Sequence, residues 1–102
     1  MINVFLDDLR PNPPGFKLAR TAEQAIHYLK TEKIRILSLD YDLNSPLATG
    51  YNVVLFMVEN QLYPRKIIIH SANPFGRRRM LNTLLKHKPK SVEVLVRPLP
   101  WI

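Results

Sequence analysis

The most informative segment of this chain is Ile34-Arg35-Ile36-Leu37-Ser38-Leu39-Asp40-Tyr41-Asp42-Leu43, an apolar run that ends at two carboxylates. The same change occurs at the start of the chain, where Ile2 to Leu6 leads directly into Asp7 and Asp8. A continuous apolar run of this length is typical of a strand that is buried on both faces of a parallel sheet. In open parallel sheets, ligands bind beyond the carboxyl ends of the strands, where the strand order reverses. The two runs therefore predict one acidic pocket built from residues that are far apart in the sequence.

The acids of this pocket indicate a metal site. Carboxylates held close together repel one another unless a cation or protons intervene, and hard oxygen ligands favour Mg²⁺ or Mn²⁺ over softer metals. We expect Asp7, Asp8 and Asp40 to be ligands of such a cation. Asp42 is either a further ligand, brought back by a turn, or a surface loop residue. The alternative for the whole set is that one or two of these acids cap helices or accept loop hydrogen bonds.

The composition limits the class of protein. A chain of 102 residues is predicted to form a single domain over residues 1–102. No apolar run approaches the roughly 20 residues that span a bilayer, and we expect no membrane association. The chain has no cysteine, which excludes disulfides and thiolate chemistry, and its start does not resemble a signal peptide. These features favour a cytoplasmic protein.

The net charge of +7 is distributed unevenly along the chain. From Asn60 onward there are nine Lys or Arg residues and one acid, Glu93. A basic half opposite an acidic pocket suits a small phosphorylated ligand that bridges the metal and arginines, although a solvated basic surface is the simpler interpretation. Aromatic and basic residues are not interleaved as they are on single-strand binding surfaces, so we do not expect nucleic acid as a partner.

The chain alternates predicted strands and helices. Turn-forming residues from Arg10 to Gly15 exclude a helix, because proline fixes φ and removes a donor. Thr21 and Gln24 form a capping-box pattern, and Asn73 with Pro74 is a typical helix start. The predicted strands are residues 2–6, 16–20, 34–39, 66–70 and 92–96. The predicted helices begin after Thr21, span Tyr51 to Leu62, and begin at Pro74. The apolar residues of the second helix would also suit a strand: Val53, Val54, Phe56 and Val58. The alternation predicts an α/β fold with right-handed crossovers.

Apolar spacing predicts which face of each helix is buried. In the first helix these residues are Ala22, Ala25, Ile26 and Leu29. In the second they are Val54, Leu55, Val58 and Leu62, and in the third Met80, Leu81, Leu84 and Leu85.

The ordered set of strand ends resembles the response-regulator receiver family. The residues that carry the resemblance are Asp7-Asp8, Asp40, Ser71-Ala72 and Arg97-Pro98. The resemblance implies a doubly wound five-stranded parallel sheet of order 2-1-3-4-5. The chain is expected to depart from that family in three ways. A Pro-rich loop replaces the first helix, the fifth helix is missing, and Arg97 stands where the family has Lys. The face left by the missing helix is either uncovered or covered by a partner, with a homodimer as one candidate.

A closer resemblance is to the cyclic-phosphate processing receiver domains. The motifs that carry it are Leu6-Asp7-Asp8-Leu9-Arg10-Pro11, Leu39-Asp40-Tyr41-Asp42-Leu43, Thr49-Gly50-Tyr51 and His70-Ser71-Ala72-Asn73-Pro74-Phe75-Gly76. Tyr41 occupies a position where the family usually has His.

Candidate phosphate ligands surround the predicted start of the third helix. The first-turn N–H groups at Asn73 and the helix dipole favour an anion, Gly76 leaves room for a ligand, and Arg77 lies in the same turn. Arg10 and Arg97 either bind phosphate oxygens or form ion pairs with the acids.

The candidate catalytic residues are Asp40, His70, Ser71 and Arg97. His70 is interpreted either as a general acid/base or phosphate contact, or as a strand-end residue that bonds to a loop.

Three functions are compatible with the sequence and are given in order of preference. The first is a metal-dependent phosphoesterase, or a binding domain, for a small phosphorylated ligand such as a cyclic-phosphate nucleotide. In it, Asp40 is a nucleophile or a metal ligand. The alternative is a single-domain receiver that is phosphorylated on Asp40 and signals by binding a partner. A non-enzymatic module ranks third.

Overall fold

The computed structural model describes residues 1–99, which form five strands and three helices. The strands are β1 (Ile2–Leu6), β2 (Lys17–Ala19), β3 (Ile34–Leu39), β4 (Lys66–Ile69) and β5 (Glu93–Val96). All four neighbouring pairs are parallel, and the sheet order is β2-β1-β3-β4-β5. The predicted parallel sheet and its order are confirmed.

The helices are α1 (Ala22–Thr31), α2 (Gly50–Asn60) and α3 (Pro74–His87). Each begins at a side chain that accepts a backbone N–H, as expected for an N-cap. Thr21 accepts from Gln24 at the start of α1, and Asn73 accepts from Gly76 at the start of α3, as the sequence predicts. Thr49 caps α2 in a capping box with Asn52.

All three helices cover the same face of the sheet. The connections from β2 to β3, from β3 to β4 and from β4 to β5 cross the sheet in one direction, so right-handed crossovers place their helices together. Contacts between α1 and α2 and between α2 and α3 agree with this arrangement. The connection from β1 to β2 runs the other way and contains no helix. There Phe16 packs edge-on against the buried ring of Phe5, with centroids 6.4 Å apart.

The register of the sheet brings the strand ends level. Leu6 pairs with Leu39, and Leu39 pairs with Ile69. Backbone hydrogen bonds extend each ladder by one residue, from the N–H of Asp40 to Leu6 and from the N–H of His70 to Leu39. Residues that follow the strands therefore stand in one row at the carboxyl edge: Asp7, Asp40, His70 and Arg97.

The buried face of α2 differs from the predicted one. Gly50, Val53, Val54 and Met57 are buried, whereas Leu55 and Val58 are half-buried and Leu62 lies beyond the helix with 36% exposure. The helix is apolar on most sides, so periodicity alone did not identify the side that faces the sheet. The backbone at Gly50 fixes that side, because a Cβ there would overlap the carbonyl oxygen of Asp40.

In α3 the inward prediction holds for Met80 and Leu84, which are fully buried. Leu81 is half-buried, and Leu85 is 58% exposed, so its predicted burial is wrong. Residues Met80 and Leu84 are four apart and lie on one helix face, whereas Leu85 is turned a further 100° or so away from it.

The predicted absence of a fifth helix concerns the chain after β5, and the described part ends at Leu99. That expectation, like the single domain over residues 1–102, stays a prediction. None of the described helices is both long enough and apolar enough to cross a membrane.

Candidate functional site

Asp7 follows β1 and is the most strongly held acid of the site. Its side chain is 1% exposed, and its Oδ1 accepts the backbone N–H groups of Leu9 and Arg10 at 2.9 and 2.8 Å. Its Oδ2 accepts from Arg10 Nη1 at 3.0 Å and lies 3.0 Å from His70 Nε2. Burial raises the pKa of Asp7, but the hydrogen bonds from Arg10, Leu9 and His70 outweigh it and leave the pKa below its ordinary value. Asp7 is therefore ionised at neutral pH.

Asp40 follows β3 and has the opposite shift. Its Oδ1 accepts the backbone N–H of Tyr41 at 2.9 Å, and its Oδ2 lies 3.9 Å from Arg10 Nη1. Burial and the negative charge of Asp7 raise the pKa of Asp40 to about 6, although hydrogen bonds from Tyr41 and Ser71 act against them. A carboxylate whose ionisation is disfavoured by a neighbouring acid is one that a cation would stabilise.

His70 follows β4, and its ring lies next to the carboxylate of Asp7. The ring is fully buried and stacks on Phe5, with centroids 4.4 Å apart and planes 8° from parallel. Nε2 faces Asp7, and Nδ1 lies 2.6 Å from the hydroxyl of Ser38. Burial lowers the pKa of His70 to about 4, despite the hydrogen bond and charge of Asp7, so the imidazole is neutral at pH 7.

An open cavity of about 470 Å³ lies at the carboxyl edge of the sheet. Its lining combines the predicted acids with polar groups of the neighbouring loops: Asp7, Asp8, Leu9, Arg10, Asp40, Asp42, Asn44, Ser71, Ala72 and Asn73. Asp7, Asp40 and His70 each offer one potential ligand atom, and these atoms lie within 4.8 Å of one another. This spacing fits a single divalent cation.

The two other predicted ligands lie at the rim. Asp8 is half-buried in the cavity lining. Asp42 is exposed, and its Oδ2 accepts from Asn73 Nδ2 at 3.1 Å. Asp42 therefore joins the β3–α2 loop to the start of α3, as well as facing the cavity.

At the start of α3, where the sequence predicts an anion-binding site, several of the candidate groups form hydrogen bonds within the protein. Asn73 takes the N–H of Gly76 with its side chain and the N–H of Arg77 with its carbonyl. The Arg77 guanidinium donates to the carbonyl of Ser71 at 3.0 Å. These bonds stabilise the turn that carries Ser71 and Asn73 to the cavity.

Gly76 lacks a side chain for a reason other than ligand approach. It is buried, and a Cβ there would overlap the ring of Tyr41. Tyr41 is itself 9% exposed, packs edge-on against Phe75 and accepts from Arg79 Nη1 at 3.2 Å. The tyrosine at this position therefore connects β3 to α3 and is not among the residues that line the cavity.

Arg97 extends β5, and its backbone N–H donates to Ile69 at 2.9 Å. It is exposed and, within the described chain, lies outside the lining of the cavity. Arg10 contacts Asp7 and Asp40 as an ion pair, one of the two arrangements that the sequence left open for it.

Sequence reasoning missed two polar residues of the site. Ser38 is fully buried next to His70. The sequence feature that could have identified it is a hydroxyl residue within the apolar run of β3. Asn44 lines the cavity with a φ of 48°, a left-handed conformation that Asn tolerates better than most residues.

This fold and this arrangement of strand-end acids define a receiver domain. The family model of the cyclic-phosphate processing Receiver domain matches residues 2–86, and the chain belongs to that family. The matched range includes every lining residue of the cavity but ends before β5 and Arg97. Searches of curated proteins and of solved structures gave no significant match.

Proposed function

We propose that this receiver domain binds Mg²⁺ or Mn²⁺ through Asp7, Asp8 and Asp40 and acts on a small phosphorylated ligand, as a phosphoesterase or a binder. The observation that carries the proposal is the meeting of Asp7 and Asp40, beside Arg10, at an open cavity. The family's description supports a cyclic phosphate as the ligand class.

The donor set fits a hard divalent cation. Carboxylate oxygens are the groups that Mg²⁺ and Mn²⁺ prefer, and no thiolate exists in the chain. Burial and the negative charge of Asp7 are the main causes of the raised pKa of Asp40. A bound cation would offset the repulsion from Asp7. When bound, the cation would supply the charge that polarises a phosphoryl group.

The chain's own residues supply the remaining functions. Arg10 reaches both acids from the edge of the cavity and is 38% exposed, so its guanidinium is available to phosphate oxygens. The Ser71 hydroxyl orients Asp40 by a hydrogen bond. Asp40 is mostly ionised at pH 7 and serves as a metal ligand or as the nucleophile. His70 is buried behind Asp7, which favours a supporting role over the acid/base role.

The first test is a titration of Mg²⁺ followed by heteronuclear NMR, with Asp40→Asn as the loss-of-site variant. We expect saturable shifts around Asp7, Asp8 and Asp40 that the variant lacks. Glu59→Gln, an exposed acid near the end of α2, is the matched control and is expected to keep the wild-type shifts. Asp42→Asn reports separately whether Asp42, which is exposed at the rim, is a ligand. No response at millimolar metal would refute the metal site.

Turnover is tested next with a nucleoside cyclic phosphate and a phosphomonoester, in the presence and absence of Mg²⁺. Metal-dependent hydrolysis supports the phosphoesterase, and saturable binding without hydrolysis supports the binder.

The second candidate is a signalling receiver phosphorylated on Asp40, which the position of Asp40 at the end of β3 in a receiver fold favours. A small phosphodonor such as acetyl phosphate distinguishes the two functions. A stable acyl phosphate on Asp40, detected by mass spectrometry, would support the receiver and argue against the esterase.

A further inference from the structure

Ser38 is a buried polar residue whose contact leads to the metal site. It lies in β3, two residues before Asp40, and both its side chain and that of His70 are fully buried. Its Oγ is 2.6 Å from His70 Nδ1, and His70 Nε2 is 3.0 Å from Asp7 Oδ2. The three side chains form a continuous hydrogen-bonded chain that ends at the cavity.

The protons in this chain can be assigned from its acceptors. Both oxygens of Asp7 accept other donors, two backbone N–H groups at Oδ1 and Arg10 Nη1 at Oδ2, as an ionised carboxylate does. An ionised carboxylate has no proton to donate, so the hydrogen between Asp7 and His70 belongs to Nε2. In a neutral imidazole Nδ1 then carries a lone pair, and the Ser38 hydroxyl donates to it.

The other tautomer is disfavoured by the same geometry. A proton on Nδ1 would leave the Nε2 lone pair facing the carboxylate at 3.0 Å, in a buried site where an unpaired polar contact is costly. The stacking of the ring on Phe5 restricts the tilt that would relieve this contact.

We propose that Ser38 is a positioning residue of the metal site: it fixes His70 with Nε2–H toward Asp7 and thereby keeps His70 out of the ligand set. This inference rests on the proposed function for its consequence, although not for the tautomer itself. With Nε2 protonated, Asp7, Asp8 and Asp40 would hold the cation through oxygen atoms, and the site would favour Mg²⁺ or Mn²⁺ over metals that prefer nitrogen. Outer groups of this kind orient ligands and change metal affinity by about 10- to 100-fold when they are removed.

The direct test is the tautomer of His70 in the metal-free protein, read from long-range ¹H–¹⁵N correlations at pH 7. We expect a protonated Nε2 and an unprotonated Nδ1, and we expect Nε2 to keep its proton when Mg²⁺ is added. A protonated Nδ1, or loss of the Nε2 proton on adding Mg²⁺, would overturn the proposal.

Two substitutions test the role of the hydroxyl. Ser38→Ala is expected to weaken Mg²⁺ binding about tenfold, since the ring loses its hydrogen bond at Nδ1. Ser38→Thr keeps the hydroxyl and is expected to bind Mg²⁺ within about twofold of the wild type. Equal affinity in the wild type and both folded variants would refute the positioning role.

The two failures are distinguishable. If the wild type binds no Mg²⁺, the proposed function fails, whereas the tautomer in the metal-free protein still decides the assignment of Ser38 and His70. If Ser38→Ala does not fold, the tautomer of His70 in the wild type, read with and without Mg²⁺, decides the question.

Discussion

Arg10 is a counter-cation to Asp7 and Asp40, and its replacement is expected to increase, not decrease, the affinity for Mg²⁺. Nη1 lies 3.0 Å from Asp7 Oδ2 and 3.9 Å from Asp40 Oδ2. A divalent cation that binds between these carboxylates must displace this guanidinium or share its acceptors. Arg10→Gln is therefore expected to tighten Mg²⁺ binding, although it removes a residue of the site.

The size of the effect follows from the distances and the exposure. Two unit charges 4 Å apart interact by about 4 kcal/mol at an effective dielectric constant of 20. The Arg10 side chain is 38% exposed, so solvent screening reduces this value toward the 0.2–1 kcal/mol typical of exposed pairs. We expect an intermediate value of about 1.4 kcal/mol, which corresponds to a tenfold lower Kd for Mg²⁺.

The assay is isothermal titration calorimetry with Mg²⁺, supported by thermal melting. Arg35→Gln is the matched control: Arg35 is exposed near the start of β3, five residues before Asp40 and therefore about 16 Å away. This distance exceeds the screening length of about 8 Å, so the control is expected to keep its Kd within about twofold. Without Mg²⁺, Arg10→Gln should melt at a lower temperature than the control, because it leaves two neighbouring acids uncompensated.

Phosphate binding should change in the opposite direction. If Arg10 binds phosphate once the cation has taken its place, Arg10→Gln will bind inorganic phosphate more weakly in saturating Mg²⁺. A variant that binds Mg²⁺ no more tightly than the wild type would refute the reasoning that the cation and Arg10 compete.

Three further predictions follow from the described contacts. The pKa of Asp40 is about 6, and protons compete with metal for its carboxylate, so Mg²⁺ affinity measured by calorimetry should fall about tenfold per pH unit below 6 and stay constant above about pH 7. Gly76→Ala should lower the free energy of unfolding by about 1–3 kcal/mol in urea denaturation, because its Cβ overlaps Tyr41. In a Tyr41→Ala background, where the overlapping ring is absent, the same substitution should cost much less, and an equal cost would contradict this cause. Leu84→Ala should cost about 2–5 kcal/mol and the exposed Leu85→Ala about 0.5 kcal/mol or less, and equal costs would contradict the assigned inner face of α3.

The contacts of Tyr41 indicate a structural role for this residue. The resemblance places it where the family usually has His. The ring packs on Gly76 and Phe75 and bonds to Arg79, on the α3 side of the turn. Its two neighbours in the chain, Asp40 and Asp42, line the cavity, whereas Tyr41 does not. Tyr41→His is therefore expected to change the stability of the α3 contact more than the affinity for Mg²⁺.

The sequence by itself determined the features that depend on local chemistry. Continuous apolar runs indicated buried parallel strands, and Thr21 and Asn73 marked helix starts because their side chains accept N–H groups a few residues away. The acids at the ends of β1 and β3 were placed at one edge because parallel strands end on the same side. These inferences needed no knowledge of which distant side chains touch.

The tertiary structure alone decided the contacts between residues that are far apart in the chain. Ser38 and His70 are 32 residues apart, and His70 and Asp7 are 63 residues apart, so no local sequence pattern predicts their hydrogen bonds. Burial in the assembled sheet lowered the pKa of His70 and raised the pKa of Asp40. Burial and pairing depend on the surface that surrounds a group, and that surface exists only when the strands and helices have come together.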